Sequence, residues 1–338
     1  MTYDALLLVS FGGPERREDV IPFLENVLRG RNVPRERLFQ VAEHYYHFDG
    51  KSPINDHNRA LIAALKRELE ARGPRLPIYW GNRNWHPLLG DTLRRMRADG
   101  VKRALAFATS AFGSYSGCRQ YRENIAQAQE EGGRDGPEIH KLRTFHNHPG
   151  FLEAMASQVR MALERIPPER RDVARILFTA HSIPLSMAAV SPYVAQLQDS
   201  CRLVCQLLGR PDGTLVYQSR SGPPTQPWLE PDIGDSIREL HSQGGLTDLV
   251  VVPIGFLCDH MEVVYDLDHG LGELCRHLGV NLFRAGTVGV HPAFISMIRE
   301  LILERTEGGQ RRAAGGMGAA CDVCAADCCV GPRRPGAN

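Results

Sequence analysis

The chain has 338 residues, 40 Lys and Arg against 39 Asp and Glu, and a formal net charge of +1. That balance gives no electrostatic reason to bind nucleic acid or an anionic membrane. No apolar run approaches the ~18 residues of a spanning helix, and the first residues enter an apolar strand with no basic leader, so neither stable membrane insertion nor a signal peptide is expected.

Ala5 to Phe11 is a continuous apolar run, as in a strand buried on both faces, and Gly12-Gly13-Pro14 turns it into a helix over Asp19 to Leu28. Helices are predicted over Glu36 to His47 and Pro53 to Arg72, a strand over Pro77 to Asn82, a helix over Pro87 to Asp99 and a strand over Lys102 to Thr109. A loop of small residues follows, then a helix over Cys118 to Glu130 and a strand over Glu138 to Arg143. The pattern restarts with helix Pro149 to Arg165, strand Ala174 to Ala180, helix Pro192 to Leu208, strand Leu215 to Ser219 and helix Pro231 to Ser242. Strand Asp248 to Phe256, helix Val263 to Leu278, strand Leu282 to Ala285 and helix Pro292 to Arg305 complete it.

Strands alternating with helices of this length indicate parallel sheets. The run Leu6 to Pro14 has the layout of Leu177 to Pro184, a strand and a short turn ending in proline, which hints at duplication. The expected fold class is α/β, with two similar Rossmann-like domains and a cleft between them. The first domain takes residues 1–146 and the second 147–306, whose last helix can pack on the first; residues 307–338 form a flexible, Cys-rich tail. Four of the nine cysteines, Cys321, Cys324, Cys328 and Cys329, crowd that tail. This is a metal or cluster pattern in a reducing, cytoplasmic setting rather than a disulfide framework.

Ligands of open α/β sheets bind beyond the carboxyl ends of strands. His181 stands at such an end, stopped by Pro184. A second strand end runs Pro253 to Glu262, with Asp259 as the expected N-cap of a helix that carries Glu262 and Asp266 on one face and Asp268 off it. Carboxylates facing a histidine can pass a cation or accept protons. The competing reading of Glu262 is a capping box with Asp259, and that of His181 a satisfied strand-end histidine.

These residues resemble the ferrochelatases, lyases that insert ferrous iron into a porphyrin. The resemblance rests on Ser10-Phe11-Gly12-Gly13-Pro14, Arg29-Gly30-Arg31, Ser52-Pro53-Ile54, Thr179 to Pro184, Tyr217-Gln218-Ser219, Pro227-Trp228-Leu229 and Asp259 to Asp266. The stretch Tyr115 to Tyr121 is most similar to the actinobacterial type, which uses coproporphyrin III. It implies a class II chelatase-like fold, His181 and Glu262 as catalytic residues, and His181, Glu262 and Asp266 around the ferrous substrate. It also implies Phe11, Arg29, Arg31, Ser52 and Tyr121 along the porphyrin, and a decarboxylase that receives coproheme. The alternatives are a protoporphyrin IX ferrochelatase and a porphyrin or heme carrier without catalysis.

The sequence departs from one bacterial branch of the family. Phe11 replaces a tyrosine that ligates iron there, Asn84 replaces a histidine beside Arg83, and Gly270 stands where a further carboxylate is expected. Some ferrochelatases hold a 2Fe–2S cluster with three tail cysteines and one from the body. By that resemblance Cys321, Cys324 and Cys329 join Cys118, with Cys328 as the alternative to Cys329. Four thiolates suit either 2Fe–2S or tetrahedral zinc, and the resemblance favours the cluster.

Overall fold

A computed structural model describes residues 2–30, 33–133, 136–211, 213–223 and 225–331. Two four-stranded parallel sheets carry the fold. In the first, β1 (Ala5–Ser10), β2 (Ile78–Asn82), β3 (Arg103–Ala108) and β4 (Glu138–Lys141) lie in the order β2-β1-β3-β4. In the second, β5 (Arg175–His181), β6 (Thr214–Gln218), β7 (Asp248–Val252) and β8 (Asn281–Arg284) lie in the order β6-β5-β7-β8. The second order repeats the first, so the faint internal likeness in sequence is a duplicated sheet topology. The register makes it concrete: the last residue of β1, Ser10, lies opposite Asn82, and the last residue of β5, His181, lies opposite Gln218.

The main helices are α1 (Val20–Leu28), α2 (Arg35–Tyr46), α3 (Ile54–Arg72), α4 (Leu89–Ala98), α5 (Gln120–Glu131), α6 (Pro149–Glu164), α7 (Tyr193–Leu208), α8 (Ile233–Ser242), α9 (Gly272–Leu278) and α10 (Pro292–Thr306). Strand alternation divides the packing. Ala5, Leu7 and Val9 face α4 and α5 through Leu89, Leu93, Met96 and Ile125. Leu6 and Leu8 face the other way, into a core that also holds Leu61 and Leu65 of α3, Phe151 and Met155 of α6, Phe294 and Ile298 of α10, and Phe178 and Val250 of the second sheet. The two sheets therefore share one central core. Gly150 lets α6 and α10 approach closely: a Cβ there would stand 2.6 Å from the Ala293 carbonyl oxygen.

Three expectations change. Strand β7 ends at Val252, because Pro253 offers no N–H to the ladder. The helix predicted over Val263 to Leu278 divides into a short turn (Met261–Val263), a π-helix (Val264–Leu271) and α9. Gly270 and Gly272 give this run little intrinsic preference for the α form. The linker after α10 is fastened to the body rather than loose. Ala314 donates to the Asn147 carbonyl at 2.8 Å, Asn147 Nδ2 donates to the Gly318 carbonyl at 2.8 Å, and Arg143 donates to the Arg312 carbonyl at 2.9 Å. The Pro/Gly/Arg end from residue 332 lies outside the described residues.

Candidate functional site

The site is built at the carboxyl ends of β5, β6 and β7. His181 closes β5, and its backbone carbonyl accepts from the Tyr193 hydroxyl at 3.0 Å. Its Nδ1 bonds the Ser182 carbonyl, which orients the ring and leaves Nε2 pointing at Glu262 Oε1, 3.3 Å away. Gln218, opposite His181 in the ladder, donates to the Glu262 carbonyl at 2.8 Å and is itself held by the Thr179 hydroxyl at 2.9 Å. Ser219 follows at φ 60°, a left-handed conformation that costs a non-glycine residue roughly 1 kcal/mol or more, and its hydroxyl donates to Asp266 Oδ2. Gly255 lets the loop after β7 lie on β5, since a Cβ there would be 2.7 Å from Ala180 Cα.

The helix N-cap is His260, not Asp259: its Nδ1 accepts from the Glu262 N–H at 3.2 Å. Asp259 instead pairs with Arg284 at 3.1 Å, and Asp268 bonds the same guanidinium. The capping-box reading of Glu262 therefore falls, because its carboxylate meets His181 and not the Asp259 backbone.

The charges are coupled. Burial opposes charge on His181, but the Glu262 carboxylate, the Ser182 carbonyl and Asp266 outweigh it and raise the imidazole to about 9. Burial likewise opposes charge on Glu262, and His181 with His260 outweighs it, lowering the carboxyl to about 2. Burial raises Asp266 to about 6, partly offset by the Ser219 hydroxyl. The His181 and Glu262 side chains keep 30% and 47% of their surface open to solvent, so the pair is screened and weaker than a dry ion pair. At neutral pH, the resting pair is imidazolium and carboxylate.

The first half of the chain faces this row. Tyr45 of α2 lies near enough to Glu262 for the carboxylate to disfavour its ionisation, and His57 of α3 acts likewise on His260. The His44 ring stacks on Tyr265 with centroids 3.9 Å apart, and His47 meets His269 at 4.3 Å. Sequence reasoning passed over these four rings. Their signal was histidines three and four residues from aromatic partners on two separate helices, which becomes legible only when the helices meet.

The expected porphyrin contacts are spread along the first half. Phe11 follows β1 half-buried, and the Arg83 guanidinium lies 5.6 Å from its ring and 4.6 Å from that of Tyr121. Arg83 Nε donates to Asn124 at 2.7 Å. Tyr121 and Ser52 are buried, so they back the Gly12-Gly13 turn and the Arg83 side chain rather than stand free. Arg29 is exposed at the end of α1 and donates to Asn26. Arg31 lies outside the described residues. Among the described residues, no three His, Cys, Asp or Glu side chains converge on a single metal position. His181 pairs with Glu262 and Asp266 is held by Ser219, so the three form a row and not a closed ligand set.

A second cavity, of about 410 Å³, lies where α5 and β4 meet the tail. Cys118, Cys324, Cys328 and Cys329 line it with Lys141, Arg119, Arg122 and Arg305; Cys321 does not. Cys118 sits in a π-turn (Tyr115–Arg119) capped by the Ser114 hydroxyl. The neighbouring Cys324 thiol, with Lys141 and Arg122, outweighs the effect of burial and lowers the Cys118 thiol to about 5. Four thiols and four cationic side chains thus line one cavity, although among the described residues no three of the thiols converge on a single metal position.

Known proteins share this chain's sequence and its fold. The Ferrochelatase family model matches residues 3–306. The chain is 57% identical over 337 residues to "Ferrochelatase" of Rhodopirellula baltica, covering 98% of this chain and 95% of that one. It is 49% identical over 350 residues to "Coproporphyrin III ferrochelatase" of Nocardia farcinica, covering 100% and 99%, and 51% identical over 344 residues to that of Frankia alni, covering 98% and 87%. Among solved structures, "SirB from Bacillus subtilis with Fe3+" aligns with a TM-score of 0.55 at 13% identity, covering 90% of this chain and 97% of that one. That likeness shows the class II chelatase-like architecture.

Proposed function

The chain belongs to the ferrochelatase family, and from that premise we propose that His181 and Glu262 carry out the insertion of ferrous iron into coproporphyrin III. The activity is that of a coproporphyrin III ferrochelatase, a lyase of heme and porphyrin biosynthesis. It follows from family membership and from relatives of that name spanning nearly the whole chain. The observation that carries the residue assignment is the contact of 3.3 Å between His181 Nε2 and Glu262 Oε1 at the strand ends.

Insertion releases two pyrrole protons as the ferrous ion enters. In the resting chain His181 is protonated and Glu262 ionised, so the imidazole begins in the wrong state to accept a proton. Asp266 and Glu262 attract the hydrated ferrous ion. Once the ion's charge offsets that of Glu262, the force that holds the proton on His181 is gone, and burial then favours neutral imidazole. Neutral imidazole accepts one pyrrole proton, and the row of carboxylates accepts the other. Ser219 and Gln218 keep that row aligned. Arg29 and Arg31 are assigned to the propionates, and Phe11 and Tyr121, with Arg83 between them, to the macrocycle's surroundings. Phe11 brings no ligand atom to the product's iron.

The tail reading is a 2Fe–2S cluster bound by Cys118 and tail thiols. Such a centre, when bound, supplies one-electron redox chemistry and a covalent tie between tail and body. Nine free cysteines suit a reducing, cytoplasmic setting, and no described helix is long and apolar enough to cross a membrane. The coproheme product would pass to a decarboxylase.

Anaerobic insertion of ferrous iron, followed by absorbance in wild type and in His181→Ala, tests the assignment. The variant should bind coproporphyrin III, read by fluorescence quenching, and lose ~10²-fold or more in kcat. A variant that inserts iron at the wild-type rate would refute the role of His181; a wild type that binds porphyrin without metallating it would be a carrier.

A further inference from the structure

We infer that Tyr193 and Gln196, one turn apart at the start of α7, are positioning residues for iron insertion, and that together they fix the strand end carrying His181 against the first sheet. The inference rests on the assignment of His181 made above, and adds the residues through which the rest of the molecule holds it.

His181 sits where the second sheet runs out. Strand β7 stops at Val252, which pairs with Phe178 and so falls short of His181. On the other side β6 still reaches, since the Ser182 N–H donates to the Gln218 carbonyl at 2.8 Å. Backbone groups along a parallel strand turn to its two neighbours alternately. Thr179 thus takes the Gly255 N–H at 3.1 Å on the β7 side, and the His181 carbonyl, facing the same way, lies past the end of β7 with no strand donor. The Tyr193 hydroxyl supplies one at 3.0 Å. Burial pushes the pKa of that hydroxyl up, so it stays protonated and donates.

The same helix end meets the first sheet. Gln196 Oε1 accepts from the Gly113 N–H at 2.7 Å, a buried bond. Gly113 permits the approach, because a Cβ there would stand 2.9 Å from Pro192 Cγ. Phe112 meets the Tyr193 ring edge to face, with centroids 6.3 Å apart. Phe112 and Gly113 belong to the loop after β3, so the ends of β3 and β5, one from each sheet, are held by one bracket. Side chains that only filled the core would need neither the hydroxyl nor the amide. The consequence falls on the imidazole. Its Nδ1 bonds the Ser182 carbonyl and its Nε2 meets Glu262, and both contacts depend on the backbone angles at His181 and Ser182. Releasing the His181 carbonyl lets that backbone turn, which weakens the contacts that keep the ring charged.

Tyr193→Phe removes one hydroxyl and leaves the ring in place. It should lower kcat for ferrous insertion into coproporphyrin III about three- to tenfold, the effect of one hydrogen bond, with KM for the porphyrin unchanged. The imidazole, identified by its absence from the NMR spectrum of His181→Ala, should titrate below about 9. Gln196→Leu should move kcat and the titration in the same directions. Tyr3→Phe is the control: it deletes a buried hydroxyl of the same core, bonded to His140 at 2.9 Å, and should lower Tm with kcat and titration unchanged. If Tyr193→Phe behaves like Tyr3→Phe, Tyr193 is structural and the inference falls. If Gln196→Leu leaves kcat and titration at wild type, the tie to the first sheet falls. The titration needs no turnover, so it tests the bracket separately from the catalytic role of His181, which falls only if His181→Ala inserts iron at the wild-type rate.

Discussion

His181 and Glu262 hold each other's charge. Burial alone would push His181 below 6.5; Glu262 is what reverses the sign. In Glu262→Gln the imidazole should therefore titrate at or below 6.5 instead of about 9, which an NMR titration of the ring resolves. A value that stays near 9 would mean that the Ser182 carbonyl and Asp266 suffice. Asp266 titrates at about 6, so its charge is present above that pH and lost below it. The KM for ferrous iron should rise as pH falls through 6, and Asp266→Asn should flatten that rise.

At the scale of elements, the loop from β7 to the π-helix places Glu262, and Gly255 is its tightest point. Gly255→Ala forces the loop off β5 and should cost ~1–3 kcal/mol, read as a lower Tm, with kcat reduced because Glu262 moves. An unchanged Tm would show that the loop accommodates the methyl. Much at this scale was legible in the sequence. Apolar runs such as Ala5 to Ser10 and Asp248 to Val252 announced buried parallel strands, and the proline after His181 announced a strand end. Other features had no local signal. His260 caps the turn although Asp259 has the better intrinsic preference, because Arg284 claims both Asp259 and Asp268. The π-helix is set partly by rings that arrive from α2, far away in sequence.

The whole molecule is tied together by α10 and the linker that follows it. Arg143, after β4, forms an ion pair with Glu304 of α10 in which the two side chains are 1% and 3% exposed, and its guanidinium also bonds the linker at Arg312. Breaking one partner of a buried pair strands the other charge, at ~3–5 kcal/mol. Arg143→Met should lower Tm by that measure and loosen the tail, so that the buried Cys329 becomes reactive to alkylation; a Cys329 that stays protected would contradict a latch at Arg143.

The central claim concerns substrate, and one comparison tests it: anaerobic ferrous insertion into coproporphyrin III and into protoporphyrin IX by the wild type under one set of conditions. Protoporphyrin offers two carboxylates fewer, each a charge-assisted hydrogen bond of roughly 1.5–3 kcal/mol. The account expects kcat/KM for coproporphyrin III to be higher by about tenfold or more. Equal rates, or a preference for protoporphyrin IX, would contradict it.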